Sequence, residues 1–361
     1  MSSGISSQPE PGQPIRVAIV GYGLAGSVFH APLIAATAGL AMSAVVTGNP
    51  ERAEQAIAAH EGVDVYPNVD ALWAAGDIDL VVIATPNRDH APIAHAAIAA
   101  GIAVVVDKPF AVNVDEAESV IAAAAARGVP LSVYQNRRWD GDFLTLQRLL
   151  HEGALGDVTR FESRFERWRP IPKSGWRESG SPLDAGGLLF DLGPHLIDQA
   201  LQLFGPVTHV YAEIDLRRQG VQTDDDVFIG LTHASGVRSH LWCSAVASEL
   251  GPRLRVLGSR AAYLKYGLDV QEDALRAGGR PDRDPAWGSE TPDRFGTLGV
   301  PGETTTIATE PGAYQRFYEG VAAALRGEGP MPVDPRDSVE GLRIIEAARR
   351  SADERQVVTV A

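Results

Sequence analysis

Apolar residues form short runs along the chain from Ile15 to Asn136, and the stretches between these runs have helical spacing. The runs are apolar on both faces, which is typical of strands covered on two sides. They span Arg16–Val20, Met42–Thr47, Leu80–Thr85, Ala103–Val106 and Leu131–Tyr134. The predicted helices span Pro50–His60, Asp89–Ala100 and Asp115–Ala126. Strands that alternate with helices predict an α/β fold with a doubly wound parallel sheet.

The pattern changes after Asn136. Amphipathic spacing predicts helices at Trp139–His151 and Phe190–Phe204, and the Ala234-Ser235-Gly236 sequence is typical of a hairpin turn. Alternating apolar and polar residues predict strands at Asp157–Trp168, Val207–Ile214, Val227–His233, Val237–Ser244, Leu254–Leu257 and Thr304–Thr309. Strands joined by tight turns favour an antiparallel sheet.

Two polar segments rich in Gly and Pro, Arg169–Gly187 and Asp273–Pro301, are predicted to be loops. The last predicted helices are Tyr314–Leu325 and Ser338–Ala352. The sequence does not show which elements they pack against, and packing on the first domain is one option. A length of 361 residues favours two domains. We therefore expect a disordered tail over residues 1–14, a first domain over 15–136 and a second over 137–361.

Charge and cysteine usage narrow the class of protein. The chain carries 32 basic and 46 acidic residues, a net charge of −14, which argues against binding to nucleic acid. Its one cysteine, Cys243, has no partner for a disulfide, and we expect it to be a small core residue in a strand. No apolar stretch is long enough to span a membrane, and the first residues lack a secretion signal. These features favour a cytoplasmic protein.

The first predicted strand runs directly into a G-x-G-x-x-G sequence that opens a helix. Gly21 permits a tight turn, Gly23 lets the backbone approach a pyrophosphate, and Gly26 allows close packing of helix on strand. The helix N-terminus then offers N–H groups and a positive dipole to the phosphates. We therefore predict a dinucleotide site that includes Tyr22 and Leu24 of the same turn.

The end of the second strand bears on the choice of cofactor. Sites for NAD place an acidic residue there to bind the ribose 2′-hydroxyl. Thr47 and Asn49 are neutral, and Arg52 can reach a 2′-phosphate. We predict NADP(H) in preference to NAD(H), the alternative for Arg52 being a solvated charge at a helix start.

Three further residues are candidates for catalysis. Lys108 follows the strand Ala103–Val106, at the sheet edge where ligands bind, although a lysine there is often only a surface charge. Asp191 and His195 are four apart on a predicted helix, so they share a face, and a histidine near a helix start suits a general base. The alternative is a capping Asp with a core His. Asp191, His195 and His90 could in principle bind a metal ion, but such a site needs three or four converging ligands, so a metal site is not favoured.

These motifs together resemble the Gfo/Idh/MocA family of oxidoreductases over nearly the whole chain. Four stretches carry the resemblance: VAIVGYGLAGSVFHAPLI from Val17, ATPNRDH from Ala84, VDKPFAVNVDEAE from Val106 and DLGPHLIDQALQLFG from Asp191. The resemblance implies a Rossmann domain and a second α/β domain with an open, mostly antiparallel sheet. The free face of that sheet often forms a dimer interface, which implies a homodimer or homotetramer.

By this resemblance His195 is the acid/base, Lys108 polarises the substrate oxygen, and Asp191 orients the substrate hydroxyl and Lys108. The family's E-K-P stands here as Asp107-Lys108-Pro109. The other residues that the resemblance places at the cofactor are Thr85, Pro86, Asn87, His90, Asp107, Lys108, Asn136 and Arg138.

The run YQNRRW, from Tyr134 to Trp139, is similar to the branch that contains NADP-dependent scyllo-inositol dehydrogenases. This similarity puts Arg137, Arg138 and Trp139 near the cofactor and the substrate. An equally weighted alternative is a linking segment held by arginine salt bridges. Other candidate substrate contacts lie in or beside the Arg169–Gly187 loop; they are Trp168, Arg169, Lys173, Trp176 and Arg177.

The favoured function is hydride transfer between nicotinamide and a hydroxyl-bearing carbon of a sugar, polyol or inositol. One alternative is a regulator that binds the dinucleotide without catalysis; such proteins tend to lose the Lys or the His, and this chain has both Lys108 and His195. Another is an enzyme whose tightly held cofactor serves an internal redox cycle.

Overall fold

The computed structural model describes residues 13–172, 175, 178 and 184–360. Its contacts divide into two units. The first contains the described residues up to Asn136 together with Gln271–Trp287 and Ala313–Asp337. The second contains Arg137–Val270, Gly288–Gly312 and the described residues from Ser338 onward. Most of the predicted tail, residues 1–12, and the candidates Lys173, Trp176 and Arg177 lie outside the described residues.

The first unit contains a parallel sheet. Its strands are β1 (Ile15–Val20), β2 (Leu40–Val46), β3 (Asp64–Tyr66), β4 (Leu80–Ile83), β5 (Ala103–Asp107) and β6 (Leu131–Tyr134). Their order is β3-β2-β1-β4-β5-β6, and every pairing is parallel. From β1 the chain first builds the sheet to one side, with β2 and β3, and then to the other side, with β4, β5 and β6. In such sheets dinucleotides bind in the crevice at this switch point, between β1 and β4. The predicted doubly wound sheet is confirmed.

Helices connect these strands. They are α1 (Ala31–Ala36), α2 (Pro50–Ala59), α3 (Val69–Ala75), α4 (His90–Ala99) and α5 (Val114–Arg127). A π-helical turn, Ala25–His30, precedes α1, and a 3-10 turn, Asn87–Asp89, precedes α4. β3 and α3 were not predicted from the sequence, because both are short and only partly buried, so they lack a clear apolar period.

The chain from Asn136 to Val270 begins with a 3-10 turn, Asn136–Trp139. The elements that follow are α6 (Gly141–His151), β7 (Val158–Glu166), α7 (Leu188–Asp191), α8 (Gly193–Phe204), β8 (Val207–Asp215), β9 (Asp226–His233), β10 (Arg238–Ser244), β11 (Leu254–Gly258) and β12 (Ala262–Lys265). The hairpin between β9 and β10 is confirmed, since His233 N donates to Val237 O at 2.9 Å.

The prediction of one helix over Phe190–Phe204 is wrong in one respect. The structure has two helices, α7 and α8, that meet at Leu192. Pro194 has no N–H to donate to the carbonyl four residues earlier, so the hydrogen-bond ladder is interrupted there. Asp191 therefore ends one helix and His195 lies in the first turn of the next.

The last part of the chain contains α9 (Gln271–Arg276), β13 (Gly296–Val300), β14 (Glu303–Ile307), α10 (Gln315–Leu325), α11 (Pro335–Glu354) and β15 (Val358–Thr359). The prediction that Asp273–Pro301 is a loop is therefore wrong, since it contains most of α9 and all of β13. Glycine is unusual inside a strand, but a Cβ at Gly296 would lie 2.6 Å from the Tyr263 ring. Close packing against Tyr263 thus explains why a glycine stands in β13, a strand that the Gly- and Pro-rich composition of the segment did not predict.

The second unit contains a nine-stranded sheet in the order β14-β13-β12-β11-β7-β10-β9-β8-β15. Only the β7–β10 pairing is parallel, so the predicted open, mostly antiparallel sheet is confirmed. Helices α7 and α8 cover one face of its central strands. Cys243 of β10 is a buried core residue, as predicted, and burial raises the pKa of its thiol. Among the helices within the described ranges, none is both long and apolar enough to cross a membrane.

Candidate active site

The glycine-rich turn after β1 has the geometry that its sequence predicts. Gly21 has a φ of +96°, and a Cβ there would lie 2.6 Å from the carbonyl oxygen of Ala84. A Cβ on Gly26 would lie 2.1 Å from the carbonyl oxygen of Gly21. Both positions therefore exclude a side chain, one because of the turn and the other because helix and strand pack closely.

Gly23 differs from the other two glycines because the space beside it is open. A Cβ there would meet only the guanidinium of Arg52, with Nη1 at 3.7 Å. Open space beside a helical N-terminus, with a cation at its edge, fits the phosphates of a dinucleotide. Leu24 is 45% exposed, whereas Tyr22 is buried with its hydroxyl 2.9 Å from Nε2 of His60. Tyr22 thus has only its main chain to offer a cofactor.

The segment after β2 combines a structural role with the predicted cofactor role. The side-chain oxygen of Asn49 accepts a hydrogen bond from Arg52 N at 3.0 Å and caps α2. The Thr47 hydroxyl accepts from Asn49 N at 3.3 Å. The cap explains Asn49 without a ligand. It also fixes the first turn of α2, from which the exposed Arg52 extends beside Gly23.

His90 joins the segments that follow β4 and β5. Its Nδ1 lies 2.8 Å from the carbonyl oxygen of Pro109, and its Nε2 lies 3.1 Å from that of Thr85. The ring is buried, and burial lowers the pKa of His90. The Thr85 hydroxyl is buried and has no hydrogen-bond partner among the described residues, so a bound ligand can supply one. Asn87 is buried in the adjacent 3-10 turn, directly after Pro86.

Lys108 follows β5 in the first unit, and its peptide bond to Pro109 is cis. The main-chain N–H of Lys108 donates to Oδ1 of Asp107 at 2.8 Å. Burial by itself would raise the pKa of Asp107, but the neighbouring His30, Lys108 and His90 together outweigh burial and leave that pKa below its ordinary value. An ionised carboxylate therefore lies directly behind Lys108.

Asp191 and His195 lie in the second unit. His195 is 5% exposed, and its ring meets the Phe165 ring edge-on with centroids 6.2 Å apart. Leu192, not Asp191, is the N-cap of α8, and no side chain caps that helix end. The alternative of a capping aspartate therefore does not apply here. His195 thus lies in the first turn of α8, at the positive end of the helix dipole.

The arginines that follow β6 are held by carboxylates. Arg138 makes a bidentate ion pair with Asp198, with N–O distances of 2.8 and 2.5 Å. Arg137 is buried, and its Nη1 lies 3.4 Å from Asp140. These ion pairs support the alternative of a segment held by arginine salt bridges, and roles for both arginines at the ligands stay predictions.

The remaining described candidates are Asn136, Trp139, Trp168 and Arg169. Asn136 is buried, Trp139 is half-buried, and Trp168 is 58% exposed with a single β-bridge to Val246. Arg169 is exposed, and its main-chain N–H donates to the Ala245 carbonyl at 2.7 Å. The substrate and cofactor roles of these residues stay predictions.

Three residues around His195 were not singled out from the sequence. The Phe165 ring lies beneath two guanidinium groups, with Cζ of Arg137 and Arg253 at 4.6 and 4.4 Å from its centroid. Gln199, one turn after His195 on α8, donates to the Arg137 carbonyl and accepts from Arg253, both at 2.8 Å. The i, i+4 spacing of His195 and Gln199 was a signal in the sequence, whereas Arg253 had none.

Within the described ranges, no group of three or more His, Cys, Asp or Glu side chains is placed to hold a metal ion. Among the described residues, the glycine-rich turn and the Arg52 guanidinium instead border an open space, and their hydrogen-bond donors fit the phosphates of a dinucleotide.

Comparison with known proteins agrees with this geometry. Residues 15–135 match an oxidoreductase family with an NAD-binding Rossmann fold, and residues 143–264 match the GFO/IDH/MocA C-terminal domain. The uncharacterised oxidoreductase YdgJ of Escherichia coli (strain K12) is 40% identical over 351 residues, 96% of this chain and 99% of YdgJ.

Two further relatives cover nearly the whole chain. The scyllo-inositol 2-dehydrogenase (NADP(+)) IolW of Bacillus subtilis (strain 168) is 36% identical over 348 residues, 95% of each chain. The solved structure of YvaA, a proposed oxidoreductase of Bacillus subtilis, has a TM-score of 0.90 and 35% identity, covering 97% of this chain and 99% of that one. The chain therefore belongs to the Gfo/Idh/MocA family of oxidoreductases, and its first unit carries the family's NAD-binding Rossmann fold.

Proposed function

We propose that this chain is a dehydrogenase that uses NADP(H), in preference to NAD(H), to oxidise or form a hydroxyl-bearing carbon of an inositol, polyol or sugar. One observation carries the proposal: His195 is a buried imidazole in the first turn of α8, in a family of oxidoreductases. Its position at a helix N-terminus favours the neutral imidazole, which can accept a proton from a hydroxyl group.

The proposed reaction divides the work among three side chains. When bound, the nicotinamide supplies the hydride acceptor or donor. His195 takes the hydroxyl proton while the carbinol C–H and O–H bonds break and a carbonyl forms. Lys108 binds the same oxygen through its ammonium group and polarises it, and Asp191 orients the hydroxyl. The reverse reaction returns the proton from His195 to the oxygen.

The proposed preference for NADP(H) rests on Arg52. Its exposed guanidinium lies beside Gly23, and Thr47 and Asn49 place no carboxylate at the tip of β2. A guanidinium binds a 2′-phosphate well. Without a carboxylate at the tip of β2, the protein lacks the usual hydrogen-bond acceptor for the ribose 2′-hydroxyl of NAD(H). The NADP(+) in the name of IolW supports the same choice.

We also propose that a second copy of the chain covers the free face of the nine-stranded sheet. Aromatic side chains cluster there: the Phe228 and Trp242 centroids are 5.2 Å apart, and Tyr211 is 36% exposed. Arg164 Cζ lies 4.0 Å from the Trp242 ring. Such a patch is typical of an interface between subunits, either in a homodimer or in a homotetramer. Sedimentation should show an oligomer that Trp242→Glu dissociates, and a wild-type monomer would contradict this.

Fluorescence titration with NADPH and with NADH tests the cofactor, and NADP⁺ reduction with inositol isomers and sugar alcohols tests the reaction. We expect tighter binding of NADPH and turnover with at least one polyol. Saturable cofactor binding without turnover on any polyol or sugar would favour a regulator. A cofactor that stays bound through gel filtration would favour an internal redox cycle.

A further inference from the structure

A buried chain of polar side chains lies behind Lys108 in the first unit. The Tyr318 hydroxyl of α10 lies 2.6 Å from Nδ1 of His30, which ends the π-helical turn before α1. Nε2 of His30 lies 3.7 Å from Oδ1 of Asp107, and the same Oδ1 accepts the main-chain N–H of Lys108 at 2.8 Å. Tyr318 and His30 are both fully buried.

The direction of this chain follows from its chemistry. Burial raises the pKa of Tyr318, so the phenol keeps its proton and can donate a hydrogen bond to Nδ1 of His30. In a neutral imidazole the remaining proton then lies on Nε2, which faces Asp107. Nε2 and Oδ1 are 3.7 Å apart, which is too long for a hydrogen bond, and Nε2 has no hydrogen-bond partner among the described residues, so the ring faces the carboxylate across a short gap. Each donor in the chain thus points towards the carboxylate.

Aromatic packing holds this arrangement. The Tyr134 ring lies 4.3 Å from the His30 ring, centroid to centroid, and the Tyr134 hydroxyl donates to the Phe29 carbonyl at 3.1 Å. The Tyr318 ring packs 5.9 Å from Tyr134. His30 is therefore confined on its face by Tyr134 and at Nδ1 by Tyr318, which leaves it one orientation towards Asp107.

We propose that Tyr318 and His30 are positioning residues for Lys108, which they hold through Asp107. The catalytic part of this inference rests on the proposed role of Lys108. The purely structural part does not, since the orientation of Lys108 can be measured without substrate or cofactor. A residue of α10, 210 positions downstream, would thereby fix the main chain from which the Lys108 side chain extends at the end of β5, and no sequence motif connects the two.

The environment of Lys108 can be followed by NMR because the protein has only three lysines, Lys108, Lys173 and Lys265. In protein labelled with ¹³C at the lysine ε carbon, three side-chain resonances are expected, and Lys108→Arg identifies one of them. Tyr318→Phe removes a single hydroxyl. We expect it to shift or broaden the Lys108 resonance and to leave that of Lys265 unchanged, since Lys265 is held by Glu290 in the second unit.

Turnover provides the second measurement. Tyr318→Phe should lower kcat about tenfold or more, with KM for NADP⁺ within about twofold, because a displaced Lys108 misorients the substrate oxygen. Tyr263→Phe is the matched control: that tyrosine is also fully buried, in the second unit, and its hydroxyl has no hydrogen-bond partner among the described residues. It should match the wild type.

The two measurements separate failure of this inference from failure of the proposed function. An unchanged Lys108 resonance in Tyr318→Phe and in His30→Gln overturns the inference, whether or not the enzyme turns over. A changed resonance in a protein that reduces no NADP⁺ with any polyol supports the positioning role and contradicts the proposed reaction instead.

Discussion

Nη2 of Arg253 donates to the side-chain oxygen of Gln199 at 2.8 Å, one helical turn below His195. The same guanidinium donates to the Ser163 hydroxyl of β7 and lies 4.4 Å from the centroid of the Phe165 ring, which His195 meets edge-on. Arg253 therefore connects α8, through Gln199, to β7, through Ser163 and Phe165, next to the proposed base. Its side chain is 1% exposed, as is that of Asp142, whose Oδ2 lies 3.2 Å from Nε.

Replacing Arg253 by Met should destabilise the fold strongly. The change leaves the Asp142 carboxylate buried without its cation, which costs about 3–5 kcal/mol in typical buried pairs. Urea unfolding measures this loss. Arg255→Met is the matched control, since Arg255 pairs with Glu162 but is 37% exposed, and such pairs contribute about 1 kcal/mol or less. Equal losses in the two variants would contradict the linking role of Arg253.

Gly26→Ala should weaken both the fold and dinucleotide binding. The new methyl would lie 2.1 Å from the Gly21 carbonyl oxygen, so the phosphate turn must shift, and overpacking of this kind costs about 1–3 kcal/mol. Gly341→Ala is the comparison: it lies within α11, with no atom near the added methyl, and should stabilise by up to about 1 kcal/mol. Thermal melts with and without NADPH give both values. A Gly26→Ala protein that binds NADPH normally would refute the close packing.

Arg52→Ala should weaken NADPH binding about 10- to 100-fold, the size expected on losing a hydrogen-bonded charge, and should change NADH binding little. Fluorescence titration with each nucleotide measures both constants. Arg127→Ala, an exposed arginine at the end of α5, should change neither. If Arg52→Ala weakens the two nucleotides equally, Arg52 does not bind the 2′-phosphate.

His233 should make the protein less stable in weak acid. Burial lowers the pKa of His233, although its hydrogen bond from Nδ1 to the Gly205 carbonyl at 2.8 Å partly opposes this. In the unfolded chain the imidazole takes up a proton as the pH falls through its ordinary value of 6.5, while the folded protein keeps it neutral. The unfolded state then binds more protons, so this contribution is present above pH 6.5 and is lost as the pH falls further.

The melting temperature of His233→Gln should therefore depend less on pH between about 7 and 5 than that of the wild type. His209→Gln, at an exposed histidine on the neighbouring strand β8, should keep the wild-type dependence. Parallel curves for the wild type and His233→Gln would show that His233 titrates alike in the folded and unfolded states.

Much of the fold could be predicted because local and global preferences agree. β1, β4 and β5 are largely continuous apolar runs. In the phosphate turn, Gly21 and Gly26 stand where there is no room for a side chain, and Gly23 stands where the space for a ligand must stay open. β13 could not be predicted, because its glycines oppose a strand locally and are explained only by close contacts in the fold, Gly296 with Tyr263 and Gly299 with the main chain of Glu303.

The candidate site divides in the same way. Lys108, Asp191 and His195 are candidates that chemistry and motif spacing mark in the sequence, and their roles stay predictions. Arg253, Phe165 and Tyr318 could not, since their roles depend on contacts between residues far apart in the chain, such as Tyr318 and His30 at a separation of 288. Long-range contacts of this kind leave no periodic pattern in the sequence.

The most direct test of the proposed function is to follow deuterium. The protein is incubated with NADP⁺ and scyllo-inositol that carries deuterium on its carbinol carbons, and the nicotinamide product is examined by NMR. We expect deuterium at C4 of NADPH, formed about 10²–10⁴-fold more slowly by His195→Ala because that variant lacks the general base. If neither scyllo-inositol nor any other deuterated polyol or sugar transfers deuterium to NADP⁺ or NAD⁺, the chain is not the dehydrogenase proposed here.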